Sequence, residues 1–120
     1  MRAGRAEDRR AAERRGRRAE TTAAWFLRFK GYRILDRRVR VRAGEVDLVA
    51  RRGATVVFVE VKARPDEAAA DAAIAPGRLS RVRAAAEQLW PRYAEGAEGA
   101  RIDAVILLPR RWPLHIVGVG

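Results

Sequence analysis

Residues 55–63, with the sequence TVVFVEVKA, decide the fold of this 120-residue chain. The stretch is β-branched and apolar on both faces up to its last polar pair, which is typical of a central strand covered on both sides. Residues 45–50 alternate between polar and apolar side chains, and Gly53 lies in the short connection between the two stretches. The sequence therefore predicts an antiparallel hairpin whose second strand lies in the middle of a sheet.

Apolar side chains at helical spacing predict one helix on each side of this hairpin. The first contains Ala23 and Leu27 and stops near residue 30, before Gly31. The second runs from Leu79 to Leu89 and ends near Pro91. Between the hairpin and the second helix, residues 65–76 are rich in alanine and acidic side chains, and they predict a mobile surface loop with room for a helical turn.

Three further apolar segments predict the remaining strands, over residues 32–41, 101–108 and 114–119. A strand, a helix and a strand in succession fit a right-handed parallel crossover. The predicted order is α-β-β-β-α-β-β, which gives an α/β fold with a mixed sheet flanked by helices.

The charge of the chain indicates a polyanionic partner. It has 26 Lys and Arg against 15 Asp and Glu, a formal net charge of +11. The basic arm, residues 1–18, holds eight arginines and three acidic residues with almost no large apolar side chain, and is expected to be solvated, helical or disordered. Residues 19–120 are expected to form a single domain, and DNA is the predicted partner, with the arm as a nonspecific contact.

Several classes of protein are excluded by composition. The chain has no cysteine, which excludes disulfides, thiol nucleophiles and Cys₂His₂ zinc sites, and its only histidine is His115. It has no apolar run of the roughly 18 to 20 residues that span a bilayer, and its arginine-rich start lacks the apolar stretch of a secretory signal. We therefore expect a cytoplasmic protein without a membrane partner, and carboxylates and basic groups as the reactive side chains of any enzyme.

Polar side chains at the end of the predicted hairpin form the strongest candidate site. Residues two apart in a strand share a face, so Glu60 and Lys62 project together, and Asp47 on the neighbouring strand lies close to them. Two carboxylates at short range repel each other unless a cation lies between them. Oxygen ligands of this kind suit Mg²⁺ or Mn²⁺, and such a site hydrolyses phosphodiester bonds.

Each of the four candidate residues has a predicted role. Asp47 and Glu60 are the predicted metal ligands, and Lys62 orients or deprotonates a water, or neutralises charge on the phosphate. Glu20 lies on the apolar stripe of the first helix and points toward the sheet, where it is an outer-shell ligand or a base.

These residues resemble a known family. The segments GEVDLVA, residues 44–50, and VFVEVKAR, residues 57–64, resemble the YraN family of bacterial proteins, uncharacterised protein family 0102, which is placed among the PD-(D/E)xK restriction-endonuclease-like nucleases. The resemblance extends from about Gly16 to the C-terminus. The family is similar to archaeal Holliday-junction resolvases, which implies a restriction-endonuclease-like core, Glu20, Asp47, Glu60 and Lys62 as the active-site set, and a homodimer.

The chain departs from the family pattern at three positions. Val46 precedes Asp47 where the superfamily has proline, Arg38 stands at a place where the family usually has asparagine, and Arg78 replaces a lysine. None of these changes falls on the four residues of the implied active-site set.

Structural interpretations of the same residues stay open. Glu60 and Lys62 also suit an exposed pair at a strand end, and Glu20 suits the first turn of a helix. Asp103 is more typical of a polar residue at a strand end than of a site member. His115 is more typical of a packed histidine than of a ligand. A non-catalytic nucleic-acid-binding protein with a nuclease-like fold is the alternative function, and an RNA- or ribosome-associated protein is a third.

Overall fold

The computed structural model describes residues 2–119, which fold into helices on both faces of one five-stranded sheet. In chain order the elements are α1 (Arg2–Phe29), β1 (Arg33–Val41), β2 (Gly44–Arg52), β3 (Thr55–Ala63), α2 (Glu67–Ala73), α3 (Ser80–Tyr93), β4 (Gly99–Leu107) and β5 (Leu114–Ile116). The predicted boundaries 1–18 and 19–120 include Met1 and Gly120, which lie outside the described residues. No helix within residues 2–119 is long and apolar enough to cross a membrane.

The sheet confirms the predicted fold class. Its strands lie in the order β1-β2-β3-β4-β5, with β3 at the centre. Neighbouring strands are antiparallel except for β3 and β4, which pair in parallel from Thr55↔Gly99 to Ala63↔Leu107. The sheet is therefore mixed, and the parallel pair requires the crossover through α2 and α3.

The core has a layer on each face of the sheet. On the α1 side, Leu27 packs with Leu48 and Val57, whereas on the other side α3 covers Val46 and Phe58. Val46 and Leu48 are two residues apart yet belong to opposite layers, so the regular alternation of β2 is broken at the residue between them. That residue is Asp47.

One segment is more helical than the sequence indicated, and a second adopts the helical alternative that the sequence left open. Residues 67–73, predicted as part of a loop, form α2, which begins at the N-cap Asp66, whose carboxylate accepts a hydrogen bond from the N–H of Ala69 at 2.9 Å. The basic arm is continuous with the first helix, because α1 begins at Arg2. Alanine and arginine are both strong helix formers, but neither segment has the apolar stripe on which the sequence prediction depends.

A close approach at Gly44 fixes the first hairpin against α3. A Cβ atom at this position would lie 2.4 Å from the backbone oxygen of Arg81. Only glycine allows this contact, which brings the start of β2 beside the first turn of α3.

Candidate active site

The candidate site lies where β2 and β3 separate. Regular pairing between these strands ends at Leu48↔Val59. Beyond that pair, the carboxylate of Asp47 accepts a hydrogen bond from the N–H of Val61, with 2.7 Å between Oδ2 and N. A side chain therefore takes the place of a strand carbonyl, and the carboxylate is held against the end of β3.

A pocket of about 230 Å³ opens at this point, and we call it the carboxylate pocket. Its walls carry three acidic and three basic side chains and one apolar side chain: Glu45, Asp47, Glu60, Lys62, Arg78, Arg81 and Val82. The β2 and β3 residues form one wall, and the residues before and within the first turn of α3 form the other. A pocket with both charge types suits a ligand that carries an anion and a cation together.

Asp47 is the most strongly perturbed carboxyl group of the pocket. Burial, followed by the negative charge of Glu60, raises the pKa of Asp47 to about 7. The hydrogen bond from Val61 and the positive charge of Lys62 act in the opposite direction but are weaker. The ionised form of Asp47 therefore lacks sufficient compensating positive charge in the protein itself.

Lys62 is paired with Glu60 on the same strand. Their Nζ and Oε1 atoms lie 2.9 Å apart, as expected for residues that share one face of β3. Both side chains are partly exposed in the pocket, so the ammonium group is accessible to a ligand.

Glu20 lies beside the pocket rather than in its wall. It is buried on α1, only 6% exposed, and Arg38 Nε lies 3.0 Å from its Oε1 atom. The N–H of Arg38 is not aligned with this oxygen, which has no hydrogen-bond partner among the described residues. Burial raises the pKa of Glu20 above its ordinary value, and the charges of Arg38 and Arg37 offset only part of this effect. The charge of Glu20 in turn contributes to the raised pKa of Asp47.

The backbone of Arg38 lies in a region that arginine seldom adopts. Its φ is +52°, in the left-handed region, where asparagine is several-fold enriched among non-glycine residues. Arginine at this position accepts a strained backbone, and its guanidinium group supplies a positive charge to Glu20.

The structure brings Asp47, Glu60 and Lys62 into one pocket and leaves Glu20 outside its walls. Sequence reasoning did not assign Glu45, Arg78 or Arg81 to the site. Glu45 both lines the pocket and pairs with Arg40 at 3.4 Å. In a chain with this many arginines, residue type carries no signal for the arginines of a site, and only the approach of α3 to β2 identifies them.

The donor set of the pocket fits a hard divalent cation. Among residues 2–119, no group of three or more His, Cys, Asp or Glu side chains is arranged to hold a metal alone. Mg²⁺ commonly takes one or two carboxylates and completes its octahedron with waters and substrate phosphate oxygens. Asp47 and Glu60 supply two such carboxylates, and a cation between them would relieve the repulsion that raises the pKa of Asp47.

A second group of charged side chains lies apart from the pocket, between β4, β5 and the end of α1. Asp103 is fully buried and accepts hydrogen bonds from Arg101 Nε at 2.8 Å and from the N–H of Gly118 at 3.0 Å. His115 Nε2 lies 2.7 Å from Asp103, and Lys30 Nζ lies 2.6 Å from His115 Nδ1. A lysine ammonium group only donates, so Nδ1 of His115 accepts and Nε2 donates to Asp103.

This second group is saturated with internal partners. Burial alone would raise the pKa of Asp103, but the hydrogen bonds from His115, Arg101 and Gly118 outweigh it and lower the pKa to about 2. Asp103 and His115 therefore anchor the C-terminal segment to β4 and α1, and neither is a member of the carboxylate pocket.

Comparison with known proteins identifies relatives over most of the chain. The model of the uncharacterised protein family UPF0102 matches residues 19–107. A UPF0102 protein of Sphingopyxis alaskensis is 60% identical over 109 residues, which cover 91% of this chain and 94% of the relative. A UPF0102 protein of Rhizorhabdus wittichii is 55% identical, with 91% and 92% covered, and one of Brucella canis is 48% identical, with 92% and 88% covered.

Proposed function

The chain belongs to the uncharacterised protein family UPF0102, and we propose that it is a metal-dependent endonuclease that hydrolyses phosphodiester bonds of DNA in the carboxylate pocket. One observation carries this proposal. Asp47, Glu60 and Lys62 line the same pocket, and the charge of Asp47 is opposed by burial and by Glu60 rather than balanced. A carboxylate in this state favours a divalent cation, which is the cofactor that phosphodiester hydrolysis commonly uses.

The two strand carboxylates are the proposed ligands of Mg²⁺ or Mn²⁺. When bound, such an ion polarises a phosphoryl oxygen and lowers the pKa of a coordinated water. The role of Asp47 is to bind it with a carboxylate already fixed by the N–H of Val61, so little side-chain freedom is lost on binding. Glu60 supplies the second carboxylate from the neighbouring strand.

Positive side chains in the pocket act on the phosphate. Lys62 is placed beside Glu60, where its ammonium group orients the attacking water and balances negative charge that grows on the phosphoryl oxygens. Arg78 and Arg81 face it from the α3 side and suit the non-bridging oxygens. Hydrolysis forms a bond from water oxygen to phosphorus, breaks the bond to the leaving sugar oxygen, and transfers the proton of the water to that oxygen by way of solvent.

Glu20 is a positioning residue in this proposal. It does not line the pocket, but its buried negative charge raises the pKa of Asp47 and thereby strengthens the attraction of the site for a cation. The helix glutamate, strand aspartate and Glu-x-Lys pattern support membership of the PD-(D/E)xK superfamily. Action on branched or repair intermediates, a homodimer and a cytoplasmic location are further parts of the proposal.

A cleavage assay with matched lysine variants tests the proposal. Plasmid, single-stranded and four-way-junction DNA are incubated with the protein in Mg²⁺, Mn²⁺ or EDTA. Lys62→Gln removes the ammonium group of the pocket, while Lys30→Gln removes the only other lysine and keeps a donor for His115. We expect metal-dependent cleavage by the parent and by Lys30→Gln but not by Lys62→Gln.

The same assay identifies the alternative function. If the parent and Lys62→Gln bind DNA equally and neither cuts it with any metal, the protein is a non-catalytic nucleic-acid-binding protein and the nuclease proposal is wrong.

A further inference from the structure

The first turns of α1 form a helix that lies almost entirely apart from the rest of the protein. All seven arginines within residues 4–18 are exposed, and the partly buried positions of this segment are Ala6, Ala11 and Gly16. None of these arginines forms an ion pair within the described part of the chain. Over residues 4–18 the basic arm is therefore a helix whose charged side chains are exposed to solvent.

Such a helix gains little stability from the protein itself. Arginines four residues apart repel each other, and Arg5 with Arg9 and Arg10 with Arg14 are pairs of this kind. Glu13, which lies four residues from both Arg9 and Arg17, offsets only part of the excess positive charge. A helix that is polar all round lacks the packing that normally stabilises helices in proteins. A row of negative charges beside the arm would remove the repulsion, and guanidinium groups match phosphate geometry better than any other side chain.

The arrangement of the arginines favours a groove between two rows of phosphates. At about 100° per residue, the side chains of Arg5 and Arg14 point to opposite sides of the helix. A helix about 10–12 Å across fits the roughly 12 Å major groove of B-form DNA, whereas the major groove of A-form RNA is too narrow. The arm therefore suits duplex DNA rather than duplex RNA.

The arm extends from the edge of the carboxylate pocket along α1, because Glu20 of the same helix lies beside the pocket and its charge acts on Asp47. A groove of about 780 Å³ lies between α1 and the end of β3, and Arg15 and Arg64 are among the residues that line it. This groove shares no lining residue with the carboxylate pocket.

We propose that the basic arm lies in the major groove of DNA that leaves the carboxylate pocket, and that it sets the length of duplex required on one side of the reacting phosphate. Fifteen residues separate Arg5 from Glu20, which is about 22 Å of helix and corresponds to roughly six base pairs. The position of the reacting phosphate rests on the proposed function, but binding of duplex DNA by the arm does not.

The test compares two triple variants with equal loss of charge. The arm variant carries Arg5→Gln, Arg9→Gln and Arg10→Gln, which retain helix propensity at positions far from the pocket. The control variant carries three exposed substitutions elsewhere, Arg28→Gln, Arg33→Gln and Arg110→Gln. Affinity for a 20-base-pair duplex DNA is measured by fluorescence anisotropy without metal from 50 to 300 mM salt, with a duplex RNA of the same sequence in parallel.

We expect the arm variant to bind duplex DNA at least tenfold more weakly at 150 mM salt. The slope of log K against log salt should be smaller by about two to three, because each phosphate that the arm no longer neutralises lowers it by about 0.9. The control variant should keep a slope close to that of the parent. An unchanged slope in the arm variant, or an equal decrease in RNA affinity, would overturn the proposal.

Cleavage of duplexes with 2 to 12 base pairs on one side of the cut separates this inference from the proposed function. Cleavage by the parent should require about six base pairs on that side, and the arm variant should lose this requirement. If nothing is cut but the salt slopes differ as expected, the nuclease proposal fails and the arm remains a DNA-binding element. If the parent cuts every length equally, the arm does not set the required length of duplex and this inference is wrong, while the nuclease proposal stands.

Discussion

Two aspartates, Asp47 and Asp103, are held by strands of the same sheet in opposite electrostatic states. Asp103 receives hydrogen bonds from two side chains and one backbone N–H, and its pKa is about 2. Asp47 receives a single backbone N–H and faces Glu60, and its pKa is about 7. The protein stabilises the charge of Asp103 by itself and leaves the charge of Asp47 largely uncompensated. Burial of a carboxylate thus indicates a functional site only when its neighbours fail to balance it.

The largest expected difference between the two aspartates is in activity. Asp47→Asn should lower the proposed metal-dependent cleavage at least a hundredfold, because the amide keeps the shape of the side chain but loses the charge that we propose binds the cation. Asp103→Asn should retain the cleavage rate per folded molecule. Single-turnover rates, normalised to folded protein from circular dichroism, compare the two. An equal decrease in both normalised rates would contradict the assignment of the catalytic carboxylate to Asp47 rather than to Asp103.

The next largest effect is on stability, and here the loss of Asp103 should matter more than the loss of Asp47. Asp103→Ala should lower the free energy of unfolding by about 3 kcal/mol, because Arg101 and His115 lose the carboxylate that pairs them in the interior. Asp47→Ala should cost far less, since it also removes repulsion with Glu60. Urea denaturation at pH 7 measures both, and a larger decrease for Asp47→Ala would contradict the comparison.

The pH dependence of stability should differ in sign between the two aspartates. The pKa of Asp103 is lowered in the fold, so its contribution of about 2 kcal/mol is present above pH 4 and is lost as the pH falls toward 2. The pKa of Asp47 is raised, so the folded state holds a proton that the unfolded state has released, and stability falls as the pH rises from 4 to 7.

Thermal unfolding of the parent and of Asp47→Asn between pH 4 and pH 8 isolates the contribution of Asp47 to the pH dependence of stability. Between pH 4 and pH 8 the free energy of unfolding of the parent should fall by roughly 2 kcal/mol more than that of the variant. The difference is modest because Asp47 keeps some contact with solvent. Saturating Mg²⁺ should restore this stability in the parent alone. Identical pH profiles would mean that the charge of Asp47 is balanced in the protein.

The smallest expected effect concerns Arg38. Arg38→Asn relieves the left-handed backbone but removes the positive charge beside Glu20, so the two effects on stability oppose each other. We expect a net change below about 1 kcal/mol that becomes more unfavourable as the pH rises, because a larger fraction of Glu20 is then ionised beside the lost charge. A titration of Glu20 followed by NMR should show its pKa raised further in the variant.

Much of the fold could be predicted from the sequence because its signals are local. The β-branched run of β3 and the glycine of its hairpin determine the centre of the sheet and the pairing with β2. The helical form of residues 67–73 was missed because alanines supply propensity without an apolar stripe. Ala70 packs against the apolar side chains of β4, and this tertiary contact stabilises residues 67–73 as a helix.

The candidate site was predictable only in part. Glu60 and Lys62 follow from strand alternation, but the change of face at Asp47 is a break in that alternation which no sequence pattern indicates. Arg78 and Arg81 enter the pocket because Gly44 lets α3 approach β2 closely. The difference between Asp47 and Asp103 depends on partners distant in the chain, such as His115, and both residues look alike in sequence as aspartates between two apolar neighbours.

Titration of Asp47 with and without a divalent cation is the most direct test of its role. Side-chain carboxyl NMR of the protein labelled at aspartate measures Asp47 and Asp103 in one experiment. We predict an apparent pKa near 7 for Asp47 that falls by at least two units in saturating Mg²⁺, while Asp103 stays near 2 in both conditions. A pKa near 4 for Asp47 without metal, or one that Mg²⁺ leaves unchanged, would contradict the claim that this carboxylate is held for a cation.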